Sequence, residues 1–116
     1  MGRKNIVPSF LMINDASMAS DITSEIENVQ NMDKASIHVY WAGTSPVGTM
    51  TVEARNGATQ PWFALDMGSP ITISGNTGFH ELIFNEVPFT DIRLQYDATS
   101  GTGSLNAAIT MKQTGG

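Results

Sequence analysis

The sequence predicts an all-β fold, an antiparallel β-sandwich of jelly-roll-like type with an extended N-terminal arm. Three observations carry that expectation. Apolar and polar residues alternate with period two from residue 35 onward, the pattern of half-buried strands. Clusters of Gly, Pro, Asn and Ser interrupt the alternation about every ten residues, the spacing of sandwich and barrel strands. A helical period is met only at 20–29, where Ile22, Ile26 and Val29 would share a face. An extended reading, with Ile22, Ser24 and Ile26 on one side, suits that stretch better.

Seven strands follow from the alternation. Ala35, Ile37, Val39 and Trp41 form one stripe, with Ser36, His38 and Tyr40 opposite. Gly48, Met50, Val52 and Ala54 form the next, and the short runs 62–65 and 71–73 follow. Leu82 and Phe84 oppose Glu81 and Asn85. Ile92, Leu94 and Tyr96 make the sixth stripe, and Leu105, Ala107, Ile109 and Met111 the last. The expected turns are 43–48, the Asn56-Gly57 hairpin pair, 75–78 and 100–103. Shared strand parity places Ile37, Val39, Trp41, Val52, Leu82, Phe84, Ile92, Leu94, Leu105 and Ile109 inside.

Residues 1–18 read as an arm or a first strand, and residues 19–114 as the sandwich. The first segment is basic and then apolar, with Arg3, Lys4, Ile6, Val7, Phe10, Leu11, Met12 and Ile13. Pro8 discourages both a helix and a central strand slot there. A segment this apolar is an aggregation hazard unless it is covered. Residues 1–14 are therefore expected to contact neighbouring molecules.

Composition narrows the function. Only six Lys and Arg residues oppose eleven Asp and Glu, for a net charge of −5. Direct nucleic-acid binding, which needs many basic phosphate contacts, is not expected. Neither is a membrane role, since no apolar run approaches the ~20 residues of a bilayer span. The basic start is broken by Asn5, Pro8, Ser9 and Asn14 and does not read as a signal peptide. Charged residues make up only 15% of the chain, below the usual share of an exposed surface. Ser, Thr, Asn and Gly take their place, as in proteins partly covered by neighbours.

No catalytic constellation emerges, and an enzyme is not expected. The chain has no cysteine and two histidines, His38 and His80, both expected at outward strand positions. That is too few ligands for a zinc site, and no cofactor is expected. Glu25 and Glu27 read as a solvated acidic face rather than a glycosidase pair. Gly75, Gly78, Gly101 and Gly103 are turn glycines, not a phosphate loop between strand and helix. Trp41, Trp62, Tyr40 and Tyr96 could in principle form a platform for sugar rings. Core packing is the expectation for both tryptophans, and Tyr40, on the polar face, is a candidate interface residue.

Several segments are informative when they are taken in order. They are Asp21-Ile22-Thr23-Ser24, then Asp33 with Ala35-Ser36-Ile37, then Trp41, Gly43-Thr44, Pro46 and Gly48-Thr49. Asn56-Gly57 and Trp62 with Leu65 follow. The closing stretch is Ile92-Arg93-Leu94, Tyr96, Ala98-Thr99-Ser100-Gly101-Thr102-Gly103 and Leu105-Asn106-Ala107. In this order the segments resemble small virion proteins of tailed bacteriophages, and the resemblance covers about residues 19–112. It implies a β-sandwich decoration (cement) protein on the outer surface of the major capsid shell, made in the host cytoplasm. It further implies the major capsid protein and neighbouring copies as partners, in a homo-dimer or homo-trimer. Arg3, Lys4, Ile6, Val7, Phe10, Leu11 and Tyr40 are the candidate interface residues. The alternative is a receptor- or glycan-binding module of a phage tail or fibre.

Overall fold

The computed structural model describes residues 5–30, 32–65 and 71–113, with side chains described within 10–112. Its elements are β1 (Asn5–Ser17), β2 (Ile22–Thr23), β3 (Glu27–Asn28), β4 (Lys34–Arg55), β5 (Phe63–Ala64), β6 (Ile71–Ile73), β7 (Thr77–Phe84) and β8 (Asp91–Gln113). No helix interrupts them among the described residues.

Two long strands organise the sandwich. β4 and β8 pair antiparallel along their whole length, from Lys34↔Lys112 to Arg55↔Asp91. A straight strand of 23 residues would span about 75 Å, yet the longest dimension of the molecule is 49 Å. The ribbon therefore folds over. Between Val29 N–H, which donates to the Thr90 carbonyl (2.7 Å), and Asp33 N–H, which donates to the Lys112 carbonyl (3.0 Å), the chain joins both ends of β8. Glu25 N–H also donates across the fold to the Met12 carbonyl (3.0 Å).

One layer is thus β1, the late half of β8, the early half of β4, and β7. The other holds β2 and β3, the early half of β8, the late half of β4, and then β5 and β6. The sequence reading split β4 and β8 into two strands each, at 43–48 and 100–103. The structure corrects this: those clusters are bulged bends, not turns. The two strands run side by side, so each supplies hydrogen-bond partners to the other through the bend. Among the described residues one eight-stranded sheet results, folded on itself, rather than two separate sheets.

The bend explains a parity switch. Inward residues are odd-numbered in Ala35–Trp41 and even-numbered in Gly48–Ala54, and β8 switches likewise between Tyr96 and Leu105. The pairing shifts between Thr44, Val47 and Gly48 admit one extra residue on each strand. The extra residue of β4 falls at Ser45–Pro46 and that of β8 at Thr99; Ser45 (φ 48°) and Gly101 (φ 82°), which lie opposite each other across the ribbon, hold left-handed conformations at this bend. Both halves of the ribbon then turn the same face to the core. Asn76 braces β4 here, its carbonyl accepting from Gly43 N–H (2.7 Å) and its Oδ1 from Ser45 N–H (2.9 Å). Met18 N–H donates to the Gly103 carbonyl, and Asp21 Oδ1 accepts from Ala98 N–H (2.8 Å), bracing β8.

The core matches the expected residues with one adjustment. Ile37, Val39, Trp41, Val52, Leu82, Ile92, Leu94, Leu105 and Ile109 are buried in one cluster. Phe84 is half-buried at its margin, edge-on to Phe89 at 6.5 Å. Residues 5–17 are a strand of the molecule's own sheet, paired with β8 from Asn5↔Gln113 to Ser17↔Ser104. Met12 and Ile13 from this strand are buried in the core. Those two side chains, counted above with the exposed apolar arm, are therefore spent inside the molecule. Pro8 is accommodated because β1 is an edge strand with register shifts around it.

The 20–29 stretch is extended, with Ile22 and Ser24 buried, but Ile26 points outward. The cross-layer bond from Glu25 turns the chain at that point and breaks the alternation. Ser24 Oγ accepts from Leu94 N–H (2.8 Å), and Ser24 N–H donates to the Leu94 carbonyl (2.9 Å). In β3, burial and then the nearby Glu25 carboxylate raise the Glu27 pKa above its ordinary 4.5. The folded state thus disfavours the charge above the raised pKa, and the penalty vanishes below the unfolded value, where both states are protonated. Glu27→Gln is expected to raise the melting temperature slightly near neutral pH, and the gain should disappear below about pH 4. Thermal unfolding at the two pH values checks both parts.

Candidate protein interface

The two outer faces of the sandwich differ in chemistry. On the second layer, outward residues form a polar and charged ladder. Arg93 Nε donates to Glu53 Oε1 (2.7 Å), and Arg55 Nε donates to Asp91 Oδ2 (2.9 Å). Thr23 Oγ1 donates to Gln95 Oε1 (2.5 Å). Trp62 lies on this ladder, with the Arg55 and Arg93 guanidinium carbons 4.5 and 4.2 Å from its ring centroid. The expectation that Trp62 packs in the core is therefore corrected. Its six-residue lead from Asn56-Gly57 belongs to the long loop before β5, which returns over the outside of the sheet.

The first layer presents an apolar outer face. β7 contributes Phe79 (66% exposed) and Ile83 (63%), β4 contributes Tyr40 (40%), and β1 contributes Leu11 (50%), whereas Phe10 (45%) pairs with the inward Ile109 and is exposed at the sheet edge instead. Cross-strand pairing sets the rows: Phe79 opposes Tyr40, Glu81 opposes His38, and Ile83 opposes Ser36. β8 continues them with Asn106, Ala108 and Thr110, and Leu11 lies next to Ala108. The rings of Tyr40 and Phe79 flank His38, with centroids 5.3 and 5.7 Å away. A shallow groove of about 210 Å³ extends the face past Ser36, Ile83 and Phe84 to Lys34 and Lys112.

The expected interface residues divide accordingly. Phe10, Leu11 and Tyr40 are exposed on the first layer. The backbones of Ile6 and Val7 pair with Lys112 and Met111 in β1, while their side chains lie outside the described residues. Arg3 and Lys4 lie outside the described residues altogether. The sequence reading missed Phe79 and Ile83, although their alternation with the inward Leu82 and Phe84 marked them as outward.

The aromatic residues weighed as a sugar platform are dispersed. Trp41 and Tyr96 are buried, Trp62 sits on the second layer, and Tyr40 on the first. His38 is outward, as its parity required. His80 is not: it pairs with the inward Val39, stacks at 5.5 Å from Trp41, and lies with Nε2 3.1 Å from the Thr72 carbonyl oxygen. Its parity matches Leu82, which overrides the polar character of the ring. Among the described residues, no three His, Asp or Glu side chains converge as metal ligands.

No protein-family model matches the sequence, and no curated protein does. Solved structures do match the fold. The SPBc2 prophage-derived protein YomS superposes with a TM-score of 0.61 at 13% identity, over 95% of this chain and 96% of that one. A chain in the structure of infectious bursal disease virus, Gx strain, also superposes with a TM-score of 0.61 at 13% identity. That match takes in 98% of this chain and 33% of the viral chain. At such identity the likeness is one of fold. The same β-sandwich therefore recurs as almost the whole of a prophage-derived protein and as about a third of a chain from a virus.

Proposed function

We propose that this protein is a structural component of a tailed-phage virion, a decoration (cement) protein that binds the outer surface of the major capsid shell. The observation that carries the proposal is the asymmetry of the two outer faces. Tyr40, Phe79, Ile83 and Leu11 stand exposed on one sheet face around His38 and the carboxylate of Glu81, whereas the other face carries the Arg93–Glu53 and Arg55–Asp91 pairs. An apolar face with aromatic anchors and few charges is the composition of an interface core. The charged ladder suits the side left in water. Fold likeness to a prophage-derived protein and to part of a virus chain supports the virion setting.

Binding through the first layer stabilises the shell by repetition. Each copy would contribute a modest interface, and many copies together resist the pressure of packaged DNA. The major capsid protein is the partner, and synthesis in the host cytoplasm precedes assembly. Co-sedimentation with undecorated phage heads tests the proposal. The parent protein is expected to pellet with heads. Tyr40→Glu and Leu11→Glu, on the first layer, should reduce that fraction about tenfold or more, whereas Thr51→Lys, on the second layer, should not. A parent that stays in the supernatant, or a Thr51→Lys variant weakened as much as Tyr40→Glu, would overturn the assignment.

A further inference from the structure

Strand edges expose unpaired backbone N–H and C=O groups, and stable proteins blunt them. Four of the five other strands that border the sheet here are too short to template another chain. β2, β3 and β5 have two residues each, and β6 has three. The fifth, β1, carries Pro8 and three register shifts. β7 has none of these devices. It runs for eight residues without Pro or Lys, pairs with β4 in unbroken register from Ala35↔Phe84 to Ala42↔Thr77, and bonds to no other strand among the described residues. Among the described residues, no backbone hydrogen bond reaches its far side. The group that fits such an edge is another extended strand.

We infer that β7 pairs antiparallel with β7 of a second copy about a two-fold axis at Glu81, joining the first layers of two molecules into one continuous sheet. The register follows from the side chains. Keeping inner and outer faces continuous requires each residue to oppose one of the same parity. A two-fold at His80 would set each exposed Phe79 against a Glu81 carboxylate. A two-fold at Glu81 instead sets Phe79 against the second copy's Ile83, twice. The two most exposed large apolar side chains among the described residues then cover each other. The outer rows become Tyr40, Phe79, and then Ile83 and Ser36 of the second copy, which extends the apolar face across the axis. The cost is a Glu81–Glu81 contact at the axis, a like-charge pair that weakens sheet pairing. That contact predicts that Glu81→Gln tightens the dimer.

The self-pairing concerns the protein alone and does not depend on capsid binding, so purified protein tests it. Light scattering across a concentration series is expected to show a dimer for the parent and a weakening of about tenfold or more for Ile83→Lys. Circular dichroism should show that this variant stays folded, because Ile83 is a surface residue. Glu81→Gln should shift the equilibrium toward dimer. The absence of cysteine makes single-cysteine variants a clean register probe. On mild oxidation Glu81→Cys should cross-link with itself, and Phe79→Cys should cross-link with Ile83→Cys when the two are mixed. A parent that remains monomeric at about 100 µM, a dimer indifferent to Ile83→Lys, or a Glu81→Cys variant that fails to cross-link would each overturn the inference.

Discussion

Replacing Trp41 with alanine is expected to lower folding stability by about 3–5 kcal/mol, the usual cost of truncating a large buried aromatic. The indole is 6% exposed on the Ile37–Val39 stripe of β4. Its Nε1–H donates to the Gly75 carbonyl (3.2 Å), tying the turn before β7 to the core. The ring also lies directly on Gly78, where an added Cβ would approach Cε2 and Cη2 to 2.9 Å. Gly78 leaves room for the indole and has no side chain of its own to fill the space once the ring is gone. The cavity term should therefore place the loss toward the upper end of the range. Against a total stability of about 5–15 kcal/mol, this is a large fraction. Urea unfolding followed by circular dichroism measures it. A variant that unfolds at the parent's midpoint would show that the indole packs against nothing that matters. Trp41→Phe, which keeps a ring over Gly78, should recover part of the loss.

How much of this was legible in the sequence can be judged residue by residue. The inward stripes were legible because period-two alternation records which side of a strand is dry, and that record survives any change of topology. Ala35–Trp41 and Ile92–Tyr96 therefore point inward as expected. The continuity of β4 and β8 was not legible. A Gly/Pro/Ser cluster looks the same whether the chain turns back or bends while still paired, and only the neighbouring strand decides between them. The same holds for β1. Its apolar run suggested a surface in need of covering, but only the pairing with β8 and the resulting burial show that Met12 and Ile13 turn to the molecule's own core while Leu11 turns away from it. Trp62 was misplaced for a related reason. An aromatic beside an apolar run usually belongs to it, and the two arginines that hold it outside lie 7 and 31 positions away in sequence.

The bend supplies the second large effect. Gly101→Ala is expected to destabilise the fold by about 2–5 kcal/mol, from two sources. A left-handed backbone costs a non-glycine residue about 1–2 kcal/mol, and Gly101 sits at φ 82°. Overpacking adds about 1–3 kcal/mol, because a Cβ there would overlap the Ser45 carbonyl and come within 2.8 Å of Pro46 Cα. Neither atom can move freely. Ser45 sits in the bulge of β4 that Gly101 opposes, at φ 48°, and Asn76 fixes it by a hydrogen bond to its N–H. Relief would require the two extra residues to shift together, and a shift on one strand alone would turn half of the ribbon's apolar face to water. Gly57→Ala is the control. Gly57 also has positive φ, at 121°, but the nearest atom to an added Cβ is Gln60 Cγ at 3.5 Å, in ordinary contact. Backbone strain alone acts there, so its loss should be the smaller by more than about 1 kcal/mol. Equal losses at the two positions, measured by chemical unfolding, would mean that the paired bulges do not constrain the fold. A larger loss at Gly101 would identify the bend as the point where one ribbon becomes two layers.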